Sequence, residues 1–204
     1  MKITDIKQQV KSPERYSIFV EGKFSFGLSE PALMASTLKI GKEITTEELV
    51  ELKDTARSDK AYGQALGLIV RRKRSEWEIR DYLKRKEYEP ELIEMLVERL
   101  YKSRWLDDAA FAQMWVENRR LLKSTSARRI AQELKAKRVS DDVISGALAN
   151  DETDEHEVLR ELVARKQKQS RYQDTQKLMA YLMRQGYNYG DVKQAISDVT
   201  SELD

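Results

Sequence analysis

The sequence predicts a mainly α-helical protein: tandem three-helix repeats forming an elongated, curved array, behind a small N-terminal β-hairpin/α element. Three observations predict it. First, Ile79, Leu83, Tyr88, Ile93 and Val97 recur 51 residues later as Ile130, Leu134, Val139, Ile144 and Leu148, and 48 residues further on as Leu178, Leu182, Tyr187, Val192 and Ile196, with no gap inside any block. A period near 50 marks stacked supersecondary units, each too small to bury its apolar face alone. Second, only three prolines and eight glycines interrupt 204 residues, which suits long helices. Third, Tyr16, Ile18 and Val20 alternate with Ser17 and Phe19, and Phe24, Phe26 and Leu28 alternate again beyond Glu21-Gly22-Lys23, a hairpin pattern.

Taken in order, Ile3 and Ile6 begin a third strand or pack beside the hairpin. Ser29 caps a short helix carrying Leu33, Met34 and Leu38 that ends near Gly41. Thr45-Thr46-Glu47-Glu48 is a capping box opening a helix with Leu49 and Leu52, and Lys53 to Lys60 either continue that helix or form a hinge. In the first repeat, Ala61 to Arg72 is helix one, Ser75-Glu76-Trp77-Glu78 opens helix two, and Pro90 occupies the first turn of helix three. In the second, Asp107 caps the helix bearing Phe111, Trp115 and Val116, and Ser140 caps the one bearing Val143, Ile144 and Leu148. In the third, Asn188 caps the helix bearing Val192, Ile196 and Val199. The acidic run Asp151 to Glu157 is either a joint or the first turn of the next helix, where the macrodipole favours carboxylates. The expected domains are residues 1–56, 57–105, 106–152 and 153–204.

Hydrophobic residues make up 40% and charged residues 35%, so a core forms beneath a densely ionic surface. The absence of cysteine excludes disulfides, thiolate metal sites and Cys nucleophiles. Met1 to Lys11 lack the apolar core of a signal peptide and no run reaches membrane-spanning length, which reads as a cytoplasmic protein with no membrane contact.

Catalytic chemistry finds little footing. His156 stands alone in the acidic run, and no Gly-rich phosphate loop precedes a Lys-Ser/Thr pair. Asp107-Asp108 and Asp151, Glu152, Asp154 and Glu155 read as helix caps and a solvated connection rather than magnesium ligands, so no metal and no cofactor is expected. Trp115 shares a helix face with Phe111, which reads as core packing, and Trp77 reads as the more exposed ring.

Charge carries the functional signal. The net charge of +2 hides segregation: Arg119 to Arg138 hold eight bases against Glu133 alone, Asp141 to Glu161 eight acids against Arg160 alone, and Arg165 to Arg184 six bases against Asp174 alone. Arg71, Arg72, Lys73 and Arg74 lie at the joint between helices one and two of the first repeat. Arg119, Arg120 and Lys123, followed by Arg128 and Arg129, occupy the matching joint in the second, and Arg165, Lys166, Lys168 and Arg171 in the third. Lys84 and Lys86 recur as Lys135 and Lys137. Stacked units would align these cations into one basic track that meets phosphates without reading bases.

Trp105-Leu106-Asp107-Asp108-Ala109-Ala110-Phe111-Ala112-Gln113-Met114-Trp115-Val116-Glu117-Asn118-Arg119, with Arg74-Ser75, Arg80-Asp81-Tyr82-Leu83 and Arg129-Ile130-Ala131-Gln132-Glu133-Leu134, resembles the RecX family of bacterial regulators of the RecA recombinase. The resemblance covers about residues 57 to 200, and the hairpin-bearing front resembles an extension of some members. Members usually carry Lys-Gly after helix two, where this chain has Lys86-Glu87 and Lys137-Arg138; Gly186 keeps the glycine. The resemblance implies a non-enzymatic protein, monomeric on its own, that lies in the groove of the RecA filament on single-stranded DNA and damps ATP hydrolysis and strand exchange. It transfers no catalytic residue. The alternatives are a sequence-nonspecific nucleic-acid-binding protein acting without RecA, a metal-dependent nuclease, and a protein-only helical scaffold.

Overall fold

A computed structural model describes residues 1–201 of the chain; the expected third repeat, drawn to residue 204, runs three residues beyond them. The described chain is mainly helical with a small N-terminal sheet. Strands β1 (Ile3–Gln9), β2 (Ser12–Val20) and β3 (Lys23–Ser29) form an antiparallel meander in the order β1-β2-β3. Ile3 and Ile6 thus lie in a true third strand. The β2–β3 turn places both Glu21 (φ 49°) and Gly22 (φ 75°) in left-handed conformations, the turn whose twist matches its flanking strands.

One alternation fails. Phe26 and Leu28 are buried, but Phe24 is largely exposed. The register shifts between the pairs Ile18–Phe26 and Phe19–Phe24, so an extra residue bulges β3 there. A one-residue slip moves a side chain to the opposite face, and Phe24 meets Phe19 edge-on at 6.1 Å on the outer side.

Helix α1 (Glu30–Ala35) is capped by Ser29, as expected, but stops well before Gly41. The Ser36 hydroxyl donates to the Leu33 carbonyl (2.6 Å) and Thr37 turns left-handed, which ends the helix and sends Leu38 into the core from an irregular segment. Helix α2 (Thr46–Arg71) opens with the complete capping box of Thr45 and Glu48 and continues through Lys53–Lys60. No glycine or proline interrupts it before Gly63, and Ala56, Ala61, Ala65 and Ile69 bury one stripe. Residues 56 and 57 therefore lie inside one helix. Its first half packs under the sheet with Ile3, Ile18, Val20, Phe26 and Leu28, and its second half enters the first repeat.

The repeats follow as α3 (Glu76–Arg85) and α4 (Pro90–Lys102); α5 (Asp108–Lys123), α6 (Ala127–Ala136) and α7 (Asp141–Ala149); then α8 (Glu155–Gln167), a 3-10 turn at Ser170–Tyr172, α9 (Thr175–Arg184) and α10 (Tyr189–Ser201). Each repeat has its own core, centred on Ile79, Leu83 and Val97; on Ile130, Leu134 and Ile144; and on Leu178, Leu182 and Val192. The recurring apolar positions of the sequence are thus the centres of three separate clusters. Asp107 caps α5 through the Ala110 amide (2.9 Å), and Asn188 accepts from the Asp191 amide (2.9 Å). Ser140 sits at the cap position of α7 without a side-chain cap bond. The acidic run divides: residues 151–154 are a joint, Asp154 caps α8, and Glu155 and Glu157 fill its first turn.

The chain resolves into two compact units, Met1–Arg74 with Glu78–Leu106, and Ser75–Trp77 with the chain from Asp107 onward. Within the second, polar bonds recur with the repeat. Ser75 Oγ donates to the Lys137 carbonyl (3.2 Å), and the Glu76 amide donates to Asp108 (2.8 Å). One period on, Ser126 Oγ donates to the Gln185 carbonyl (3.1 Å), and the Ala127 amide donates to Glu155 (3.2 Å). Each time an acidic residue opening one helix satisfies an amide that begins another, where orphan donors and the macrodipole favour a carboxylate.

Candidate nucleic-acid interface

Two of the cationic clusters are built around one carboxylate that serves several bases. In the first unit Arg71, Arg72, Lys73 and Arg74 leave the end of α2. Arg72 binds Glu78 at 2.9 Å, and Arg74 approaches the same carboxylate at 3.8 Å. Burial, then the neighbouring Arg72 charge, pull the Arg74 guanidinium below its ordinary pKa, and its buried Nε has no hydrogen-bond partner. A guanidinium stays charged at any physiological pH, so this is a crowded, under-neutralised cation. Arg71, Lys73 and Lys84 are exposed and enter no ion pair among the described residues. Lys86, also exposed, has its ammonium 5.9 Å from the Tyr82 ring centre.

In the second unit the site forms between α5 and α6. Glu133 accepts from Trp115 Nε1 (3.0 Å) and from Arg119, and Arg129 stands 3.7 Å away. The Arg119 guanidinium lies 4.4 Å and the Lys137 ammonium 4.6 Å from the Trp115 ring centre. Rings with cations over their faces hold those charges in place. Trp115 is half-buried against Phe111, so the expected core packing is present, whereas Trp77 and Trp105 are exposed. Arg128, Lys123 and Lys168 are exposed without an ion pair among the described residues. Lys135 is paired with Asp141 at 2.9 Å. Arg165 donates to Ser124 Oγ (3.2 Å), Lys166 faces Tyr172 and Tyr181, and Arg171 faces Tyr172.

Arg120 stands apart. Its side chain is only 9% exposed, bound to Asp151 at 2.7 Å, to Glu155 at 3.4 Å and to the Thr125 carbonyl at 2.9 Å. Burial pushes the Asp151 carboxyl up, but the Thr153 hydroxyl and the Arg120 guanidinium outweigh it and hold the group below its ordinary value. Tyr187, raised by burial and then by the Glu155 charge, donates its hydroxyl to the Ser124 carbonyl (2.9 Å). Arg120 therefore joins α5 to the start of α8 rather than facing solvent. The sequence grouped it with Arg119 because they are adjacent, yet neighbours on a helix point about 100° apart.

The structure thus brings Arg119 and Lys137 over Trp115, Arg119 and Arg129 to Glu133, and Arg72 and Arg74 to Glu78, while Arg120 and Lys135 are taken by acidic partners. The part that Glu78, Glu133, Tyr172 and Tyr181 play in holding cations escaped the sequence reading. The i,i+4 spacings Arg74–Glu78 and Arg129–Glu133 are the signal that would have found two of them. His156 is exposed in the first turn of α8. Among the described residues no group of three or more His, Asp or Glu side chains is placed to hold a metal ion, and no helix is long and apolar enough to cross a membrane.

Tandem three-helix repeats with ring-held cations and a sheet-bearing front define a class of repeat protein with broad charged surfaces. Family models match the chain in four places: the regulatory protein RecX N-terminal domain over residues 1–45, and the first, second and third three-helix domains of RecX over 61–100, 107–148 and 152–196. The regulatory protein RecX of Listeria welshimeri is 31% identical over 210 residues, covering 100% of this chain and 78% of that one. That of Bacillus subtilis is 30% identical, covering 99% and 78%. A crystal structure of regulatory protein RecX superposes with a TM-score of 0.70 at 25% identity, covering 97% of this chain and 98% of that one. RecX from Lactobacillus salivarius shares the fold, with a TM-score of 0.60 at 19% identity over 70% of this chain and 96% of its own. The chain belongs to the RecX family.

Proposed function

We propose that this protein is a non-enzymatic regulator that binds RecA filaments on single-stranded DNA and restrains their ATP hydrolysis and strand exchange. The relatives' name, regulatory protein RecX, supports the regulatory part. The observation that carries the polyanion part is that Glu78 and Glu133 each serve more than one base, leaving excess positive charge around each. Such cations suit phosphates in any base sequence, because they fix position and read no base edge. The contacts assigned to the polyanion are Arg71, Arg72, Lys73, Arg74, Lys84 and Lys86, and Arg119, Lys123, Arg128, Arg129, Lys137, Arg165, Lys166, Lys168 and Arg171.

A titration of RecA's single-stranded-DNA-dependent ATPase at two ionic strengths tests the proposal. Inhibition at or below stoichiometric amounts, weaker at the higher salt, is the expected result. ATPase and strand exchange untouched by folded protein would end it. The same cations would serve a nucleic-acid-binding protein that needs no recombinase. Charge reversal at Arg128 and Arg129 separates the two: loss of naked-DNA binding with full inhibition retained would assign these residues to DNA alone.

A further inference from the structure

The first unit holds a groove of opposite character to the cationic clusters. It lies between α1, the middle of α2 and α4, with a volume of about 1130 Å³. Ala32, Ala35, Tyr62, Leu66, Leu92 and Met95 form its apolar lining. Met95, 52% exposed, is an unbranched thioether that reshapes to fit an apolar partner. At Gly63 the α2 backbone itself is laid open: a Cβ built there would meet only an Arg15 side-chain nitrogen at 3.9 Å.

The charges at the rim decide what fits. Of the two cations among the lining residues, Arg57 is paired with Glu89 at 3.4 Å and the Arg99 guanidinium lies over Tyr62, 4.0 Å from its ring centre. Asp54 on α2 and Glu91 on α4 line the same groove and enter no ion pair or hydrogen bond among the described residues. An apolar floor between unpaired carboxylates repels a nucleic acid and matches an apolar segment flanked by Lys or Arg. The size also agrees. Pockets for small molecules run to roughly 300–1,000 Å³, whereas an amphipathic helix laid in a groove presents anchors at i, i+3, i+4 and i+7.

We infer that the groove bounded by α1, α2 and α4 docks a basic amphipathic helical segment of a protein partner, with Asp54 and Glu91 clamping its cations and Met95 receiving its apolar face. This deepens the regulatory reading, and rests on it, where it assigns the groove to the recombinase; the docking chemistry stands independently. The protein would then divide its labour by charge, a cationic surface for polyanion and an acidic-rimmed groove for polypeptide.

The test uses the full chain and a short fluorescent peptide of leucine and lysine, with leucines at helical spacing. Wild type is expected to bind it saturably, with amide-shift changes confined to α1, α2 and α4. The charge swap Asp54→Lys/Glu91→Lys, at two exposed positions, is expected to weaken binding at least tenfold and to favour the matching leucine–glutamate peptide. Gly63→Leu, which fills the groove while raising helix propensity, is expected to abolish binding with the circular-dichroism spectrum unchanged. No saturable binding, shifts mapping elsewhere, or a charge swap without effect would overturn the inference. In the ATPase assay, a charge-swapped protein that binds DNA normally yet fails to inhibit supports the recombinase as occupant; equal inhibition by both proteins rejects it. Should wild type not inhibit at all, the regulatory reading fails, and the peptide titration alone decides the groove.

Discussion

The residue after the second helix of each repeat shows how one backbone requirement meets three side chains. Glu87 (φ 59°), Arg138 (φ 58°) and Gly186 (φ 96°) all take the left-handed turn that closes a helix. The backbone bonds recur as well, with the next residue's amide reaching back to Leu83, Leu134 and Leu182. The first two tolerate a side chain because their φ is that of an ordinary left-handed residue, at about 1–2 kcal/mol each. Gly186 admits none: a Cβ there would lie 2.3 Å from Ser126 Oγ and 2.6 Å from Arg129 Cβ. Gly186→Ala is therefore expected to destabilise the second unit by about 2 kcal/mol or more, read as a lowered urea midpoint. Arg138→Gly in the same unit, and Glu87→Gly in the first unit, should each change the midpoint of their own unit by less than half as much. Equal effects at all three positions would refute the close-approach account. From the sequence, Gly186 looked like the retained family residue; the crowding that demands it was invisible there.

At the scale of elements, the joint of α5 and α6 with α8 and α9 is polar, while each repeat keeps its own apolar cluster. Arg120 and Asp151 make the joint a buried ionic knot with the more exposed Glu155 at its edge, and Tyr187 adds a bond at Ser124. A buried pair contributes little against a well-packed apolar substitute, but breaking one partner strands the other. Arg120→Met alone should cost about 3–5 kcal/mol, and combining it with Asp151→Leu should recover most of that. Hydrogen exchange across α8, α9 and α10 reports both. If the single variant exchanged like wild type, the knot would be irrelevant. Its pH dependence has a definite sign: Asp151 is held below its ordinary value, so its contribution is complete above about pH 4 and is lost as pH falls through its lower folded value. The capping box of α2 and the caps at Ser29, Asp107 and Asn188 were legible in advance, because a cap is local chemistry. The unbroken run of α2 stayed open between a continued helix and a hinge, since Lys53–Lys60 are mostly polar and the two cores the helix serves are formed only in three dimensions.

For the whole molecule, 37 bases and 35 acids nearly cancel, so the distribution carries the behaviour. Binding to single-stranded DNA or to its filament should fall roughly a thousandfold between 50 and 200 mM salt if about six phosphates are engaged. Neutralising Lys73 or Arg128 should each lower the log–log salt slope by about 0.7, whereas Lys135→Gln, already paired with Asp141, should leave it alone. A salt-independent affinity measured by anisotropy would remove the electrostatic contact from the account.

The sequence by itself determined the helical class, the three recurring apolar frames, the sheet-bearing front and the places where cations gather. Those follow from periodicity and local capping, which neighbouring residues along the chain decide among themselves. Tertiary structure alone decided which cations remain available. A guanidinium's fate depends on the carboxylate it meets across space, and Arg119 and Arg120, adjacent in the chain, met Glu133 and Asp151 on opposite errands. It also decided that Phe24 faces outward and that Asp54 and Glu91 share a groove, since one bulge or one helix crossing changes what a side chain touches without altering a letter of the sequence.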